Sequence, residues 1–129
     1  MNISFLIAIL AGLLLQSDNA SVTLRGRVVK VEQGFLFKTT GEKTHPLVRT
    51  ITSESLFVDP HMRELDLEVT GRIHAKDGSL EVIQIRSIHN GVLHDAFYWC
   101  ETCRIRSTAP GPCWCCFQPF EFREVPIKE

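Results

Sequence analysis

A chain of 129 residues, 44% of them apolar, holds one domain, or one domain with a small appendage. Its 14 Lys and Arg are balanced by 15 Asp and Glu, a formal net charge of −1, which excludes a global electrostatic pull toward nucleic acid or anionic lipid. All five cysteines fall within the last third of the chain, so the chemistry that composition points to is confined to one end.

The first element is an apolar run over residues 3–15, followed by Gln16, Ser17, Asp18 and Asn19. It has the length of a signal-peptide core and is short for a membrane span. The run predicts a leader over residues 1–20, cleaved near 17–20, and a mature chain that is periplasmic or secreted with no membrane span of its own. No Lys or Arg precedes the run, and a cut after Ala20 puts Asp18 at the third position before it. A buried N-terminal helix and an uncleaved anchor are therefore the competing readings.

Residues 21–31 alternate Val22, Leu24, Val28 and Val29 with Arg25, Arg27 and Lys30, the pattern of a half-buried strand. Gly26 in its middle predicts a bend or bulge. A turn at Glu32-Gln33-Gly34 leads to a second strand over 35–40, and a turn at Gly41-Glu42-Lys43 leads to a short third strand over 47–51. Residues 53–58 have no clear assignment, and 60–64 predict a single turn of helix. The clearest strand is 65–74, where Leu65, Leu67, Val69, Gly71 and Ile73 alternate with polar residues. Lys76-Asp77-Gly78-Ser79 turns the chain back into a strand over 80–88, and Asn90-Gly91 turns it again into a strand over 92–99. Short strands, short turns and a bent first strand predict an all-β fold: a small OB-like barrel over residues 21–97.

The barrel invites a nucleic-acid reading, with Phe35, Phe37 and Lys38 on the second strand and Arg25, Arg27 and Lys30 on the first. Phe35 and Phe37 share one strand face, where core is the commoner role, and the net charge is not basic. Nucleic acid is not an expected partner.

Residues 98–129 form the cysteine element. Cys100 and Cys103 make one C-x-x-C pair, and Cys113 and Cys116 a second. Two such pairs can place four thiolates tetrahedrally around one ion, and the turn-forming Pro110-Gly111-Pro112 returns the chain to the second pair. The metal ligands expected are Cys100, Cys103, Cys113 and Cys116, with Cys115 a possible alternative ligand. By ligand type the ion is Zn2+, with Cu+ or Fe as alternatives. A disulfide-stapled element without metal is the competing reading for an exported chain. Full pairing of five cysteines leaves one over. A thioredoxin-like redox role lacks the helix that such a motif opens.

The run Tyr98-Trp99-Cys100-x-x-Cys103, then Pro110-Gly111-Pro112-Cys113-x-x-Cys116, resembles the short zinc-ribbon-like heavy-metal-binding module of exported bacterial proteins. The tail also resembles small exported proteins of planctomycete-like bacteria, in which a β-rich domain precedes a Pro-Gly-Pro-Cys-x-Cys-Cys element. The likeness covers about twenty-five residues and implies a metal-binding knuckle pair; it carries no activity with it. It departs from the module at Glu101-Thr102, and at Arg104 and Phe117, which stand where knuckles often have glycine.

Trp99, Trp114, Phe117, Phe120 and Phe122 surround the cysteines and are expected to cover the site and dock it on the barrel. The five histidines, His45, His61, His74, His89 and His94, read as surface residues of strand ends and turns; His61 with Asp59 and Glu64 is an unspecific cluster. No Ser-His-Asp order, phosphate-cradling glycine loop or H-E-x-x-H stands in the chain. The expected function is a non-enzymatic metal-binding or interaction module of the cell envelope that engages an envelope protein. Its rivals are a disulfide-stapled binding module and a soft-metal (copper) chaperone or sensor.

Overall fold

The computed structural model of the chain describes residues 20–128. The leader expected over residues 1–20 lies outside them save for Ala20. Eight strands form one antiparallel sheet: β1 (Ser21–Val31), β2 (Gly34–Thr39), β3 (Thr44–Pro46), β4 (Asp66–Ile73), β5 (Leu80–His89), β6 (Val92–Cys100), β7 (Ile105–Ser107) and β8 (Glu121–Pro126). A short helix α1 (Glu54–Val58) and a 3-10 turn η1 (Pro60–Glu64) lie between β3 and β4. The all-β class is as expected. No helix among the described residues is long and apolar enough to cross a membrane.

The sheet runs β3-β2-β1-β4-β5-β6-β7, with β8 on the other side of β6. It is an open sheet. One parallel bridge, Leu47 with Leu80, brings the residue after β3 beside the start of β5. There the Val48 N–H donates to the Leu80 carbonyl at 3.0 Å.

Gly26 is the hinge of β1. Residues before it pair with β4 and residues after it with β2, while Gly26 itself faces Leu67 on one side and Thr39 on the other. A Cβ there would stand 2.0 Å from the Lys38 carbonyl oxygen, closer than any non-bonded approach tolerates. Only glycine lets the two neighbours close in. A second irregularity explains an odd pattern in β5. Gly71 pairs with Val82 and Thr70 with Gln84, leaving Ile83 as a bulge. The alternation therefore shifts by one. Leu80 and Val82 face the core before it, Ile83 is exposed, and Ser87 is buried after it.

The third strand is not where the pattern placed it. Pairing with β2 is made by Thr44, His45 and Pro46; Leu47 and Val48 still bond β2 and β5, and only after them does the chain leave the sheet, with Ile51 exposed. Side chains compete with the ladder here. The buried Ser53 hydroxyl donates to the Val48 carbonyl at 2.7 Å and accepts from the Thr50 N–H at 2.8 Å, so the chain closes into a turn. It then enters α1, which delivers Leu56, and η1, which delivers Met62. Both side chains are buried with Val28, Phe37, Leu67, Val69, Leu80 and Val82. Phe37 is fully buried and Phe35 packs edge-on against Phe57 at 5.2 Å, so both aromatics of the second strand serve the core.

β6 carries the cysteine element. Its first residues pair with β5, its last three with β7, and its other edge with β8 from His94 to Trp99. The boundary expected between residues 97 and 98 falls inside this strand. Two further contacts tie the C-terminal element down. Glu124 on β8 reaches across β6 and accepts from the buried Ser87 hydroxyl and pairs with His89, both on β5. Burial opposes its ionisation, but these bonds prevail and hold its carboxyl below the usual range.

The Tyr98 hydroxyl donates to Asp59 Oδ2 at 2.6 Å, while Asp59 Oδ1 accepts from the His61 N–H and caps η1. Phe122 packs on both Tyr98 and His61. Tyr98 is almost fully buried, and burial followed by the bond to Asp59 keeps it protonated. A hydrogen bond to a carboxylate contributes about 1.5–3 kcal/mol. Tyr98→Phe is expected to lower the stability of the whole domain by that amount, read from the midpoint of urea unfolding. A midpoint that does not move would mean that the bond contributes nothing.

Candidate metal centre

Each C-x-x-C pair sits in a turn set by backbone hydrogen bonds. Cys100 ends β6, and Cys100 pairs with Ile105 as β6 returns into β7, so the first pair occupies the tip of a hairpin. The second pair occupies a hairpin closed by the Pro112–Pro119 bridge, by the Cys113 N–H to the Gln118 carbonyl, and by the Phe120 N–H to the Gly111 carbonyl. The two tips repeat one geometry. The Arg104 N–H donates to the Cys100 carbonyl and the Phe117 N–H to the Cys113 carbonyl, each at 2.8 Å. Backbone N–H groups also point at the first sulfur of each pair. Cys103 N lies 3.4 Å from Cys100 Sγ, and Cys115 N lies 3.4 Å from Cys113 Sγ.

This geometry makes Arg104 and Phe117 the closing residues of their turns. Both adopt the left-handed backbone, at φ 54° and 65°. The residue types differ from the glycines common in knuckles, but the conformation is the one glycine supplies. A side chain there costs roughly 1–2 kcal/mol. Arg104→Gly and Phe117→Gly are each expected to raise stability, by up to about 1 kcal/mol once the greater freedom of the unfolded glycine is offset. Thermal unfolding reads the sign, and a lower midpoint in both variants would contradict the strain.

The hairpin tips converge. The sulfurs of Cys100, Cys103, Cys113 and Cys116 all lie within 4.8 Å of one another, with Cys100 and Cys116 at 3.5 Å. Among the described residues this is the one group of three or more His, Cys, Asp or Glu side chains so placed. Four sulfurs at the usual zinc–sulfur distance of about 2.3 Å form a tetrahedron with edges of about 3.8 Å. The four cysteines are therefore close enough to hold a metal ion. Among the described residues no disulfide joins any two of the five cysteines.

The surroundings treat the four sulfurs differently. Cys100 and Cys113 are buried, while Cys103 and Cys116 are partly accessible. Burial works against ionisation of Cys113, but the N–H groups of Cys116 and Cys115 prevail and bring its thiol down to about 7. Cys103 is pushed up, first by its hydrogen bond with Cys115 and then by burial. At Cys100 the Cys103 N–H favours the thiolate, yet burial and the neighbouring thiols of Cys116 and Cys113 leave the group raised. Thiols crowded without a cation resist ionising together, since each new thiolate repels the next.

Cys115 stands outside the set of four and is exposed. The aromatic residues divide as well. Phe122 packs on Tyr98 and against the sheet's core, and Phe120 packs against Trp114. Trp114 and Phe117, expected to cover the site, are 63% and 77% exposed. Trp114 lies within the second pair in sequence and Phe117 just after it, and both face solvent. His61 contacts Phe122 and its N–H bonds Asp59; with Asp59 and Glu64 it forms no ligand cluster. Pairing alone could not have revealed the Tyr98–Asp59 contact, since 39 residues separate the partners.

No family model matches the chain, and no curated protein or solved structure matches it.

Proposed function

We propose that the chain is a non-enzymatic binding module of the cell envelope whose C-terminal element is locked by one zinc ion. The ligands are Cys100, Cys103, Cys113 and Cys116. The observation that carries this reading is the convergence of four sulfurs within 4.8 Å at the tips of two hairpins of matching geometry. The donor set fits zinc: four soft thiolates, two turns that orient N–H groups toward sulfur, and two of the four sulfurs in buried residues. Iron shares the tetrahedral four-sulfur preference, and Cu+ shares the affinity for thiolate. The ion would supply the cross-link that joins the two hairpins, in an element too small for a core of its own.

Three further features support a binding role over catalysis. The arginines of β1 are neutralised by β4, Arg25 by Glu68 at 3.0 Å and Arg27 by Asp66 at 2.6 Å, which disfavours a nucleic-acid groove. The exposed Trp114 and Phe117 offer an aromatic contact surface to an envelope protein. The apolar run over residues 3–15 supports an exported, periplasmic or secreted module.

Purification without reductant, followed by elemental analysis and thiol counting by mass spectrometry, tests the site. One zinc per chain with all cysteines reduced is the expected result. A metal-free protein with only one free thiol would sink the reading in favour of a disulfide-stapled module.

A further inference from the structure

The sheet forks where β6 leaves β5. The two strands pair between Arg86–His89 and Val92–Asp95. Farther along, β6 pairs with β7 from Tyr98 to Cys100. Between these stretches Ala96 and Phe97 pair with β8 alone. On the other prong β5 carries its bulge at Ile83, which stays 45% exposed; bulges recur beside functional sites, where they re-aim a side chain. A cavity of about 150 Å3 lies in this fork. Met62, Ile83, Ile85, Ala96 and Phe97 give it an apolar wall. Around it the hydroxyls of Tyr98, Ser107 and Thr108 already donate, to Asp59 and to the carbonyls of Ala109 and Ile51. Thr52 is half-buried. Ser55 is only 2% exposed, lines the cavity, and its hydroxyl has no hydrogen-bond partner among the described residues. Charge at the cavity is already cancelled: Arg106 pairs with Asp95 at 2.7 Å and lies over the Phe97 ring at 3.9 Å.

We propose that this cavity binds a small neutral molecule with a ring-sized apolar body and one hydroxyl or amide head that pairs with Ser55. Size sets the first limit. An apolar cavity of about 150 Å3 is known to hold benzene, whereas sites for drug-sized molecules run to roughly 300–1,000 Å3. Nucleotides and peptides are therefore too large. The lining sets the second. An apolar wall rewards an apolar body, and a buried hydroxyl left unpaired is costly, so a guest that bonds Ser55 removes that cost. An ionic head would have to compete with the Arg106–Asp95 pair. None of the five cysteines lines the cavity, so the site is independent of the metal centre.

The test is a backbone-amide NMR titration of the full chain, as purified, with phenol and with toluene. Phenol is expected to shift the amides of Thr52, Ser55, Ile85 and Phe97 and to saturate. The phenol-to-toluene affinity ratio is expected to fall about tenfold in Ser55→Ala, the worth of one hydrogen bond. Ala96→Val adds bulk to the cavity wall and is expected to weaken both ligands. Phenol that does not saturate in the wild type, or that shifts the exposed Trp114 and Phe117 instead, overturns the site. An unchanged ratio in Ser55→Ala overturns it as well, since water would then be the partner of Ser55. Phenol bound equally well by Ala96→Val overturns the cavity as its seat, and decides the matter should Ser55→Ala fail to fold. A chain that proves metal-free leaves each of these outcomes readable.

Discussion

Cys113→Ser is expected to remove the metal and unfold the C-terminal element. Of the four proposed ligands Cys113 has the least freedom: it is fully buried, its own N–H is bonded to the Gln118 carbonyl, and its sulfur receives the Cys115 N–H. A serine oxygen is shorter, harder and holds its proton near neutral pH, so it cannot replace a thiolate. In zinc-finger peptides structural zinc contributes about 10–16 kcal/mol of binding free energy that is also folding free energy. The loss should therefore be visible in structure as well as in metal content. Elemental analysis should fall from one zinc per chain to below about a tenth, and limited proteolysis should open the chain between Arg104 and Phe120. Cys115→Ser serves as the control and should keep its zinc. A Cys113→Ser protein that holds metal as well as wild type would show that Cys113 is not a ligand.

Gly26→Ala is expected to be the most damaging single methyl in the sheet. The added carbon would lie 2.0 Å from Lys38 O, 2.8 Å from Lys38 C and 2.8 Å from Thr39 Cα. All three are backbone atoms, so no rotamer change relieves the clash. Either β1 or β2 must move, and both carry core residues: Val28 on one, Phe37 on the other. A cost of about 3 kcal/mol or more follows from overpacking against atoms that cannot yield. Gly91→Ala provides the comparison. Gly91 has φ 78° and nothing within 4 Å of an added carbon, so it should lose only the roughly 1–2 kcal/mol of a left-handed side chain. Chemical unfolding of the two variants separates the effects. Equal midpoints would remove the argument for a close approach at Gly26.

What the sequence reveals of this molecule depends on how local the deciding interaction is. The β4 alternation, the Asp77-Gly78 and Asn90-Gly91 turns and the special role of Gly26 are all legible, because each is decided within a few residues. The third strand is displaced because Ser53 and Thr50 bond the backbone around Val48, a preference that hydrophobic alternation does not register. The pattern of β5 is legible only as an anomaly, Val82 next to Ile83, whose cause is the bulge opposite Gly71. Strands β7 and β8 carry little pattern: β8 is Glu-Phe-Arg-Glu-Val-Pro, and its strand character comes from β6. At the cysteines the spacing identifies the four convergent sulfurs. It does not show that Arg104 and Phe117 take glycine's conformation, or that Trp114 and Phe117 stand exposed. Those depend on the relative placement of two hairpins that share no sequence neighbourhood.

The position of β6 also dictates an order of assembly. A chain made from its N-terminus completes β1 to β5 and the hairpin into β6 before residues 121–126 exist. Until they arrive, the flank of β6 from His94 to Trp99 is a bare strand edge, with unpaired backbone donors and acceptors that another chain can match. Such an edge is a route to intermolecular pairing in any partly made β-protein. The residues of β8 therefore act as a seal applied last. The charges of Glu121, Arg123 and Glu124 suit that task, since they keep the sealing segment soluble and unpaired until it reaches the edge of β6.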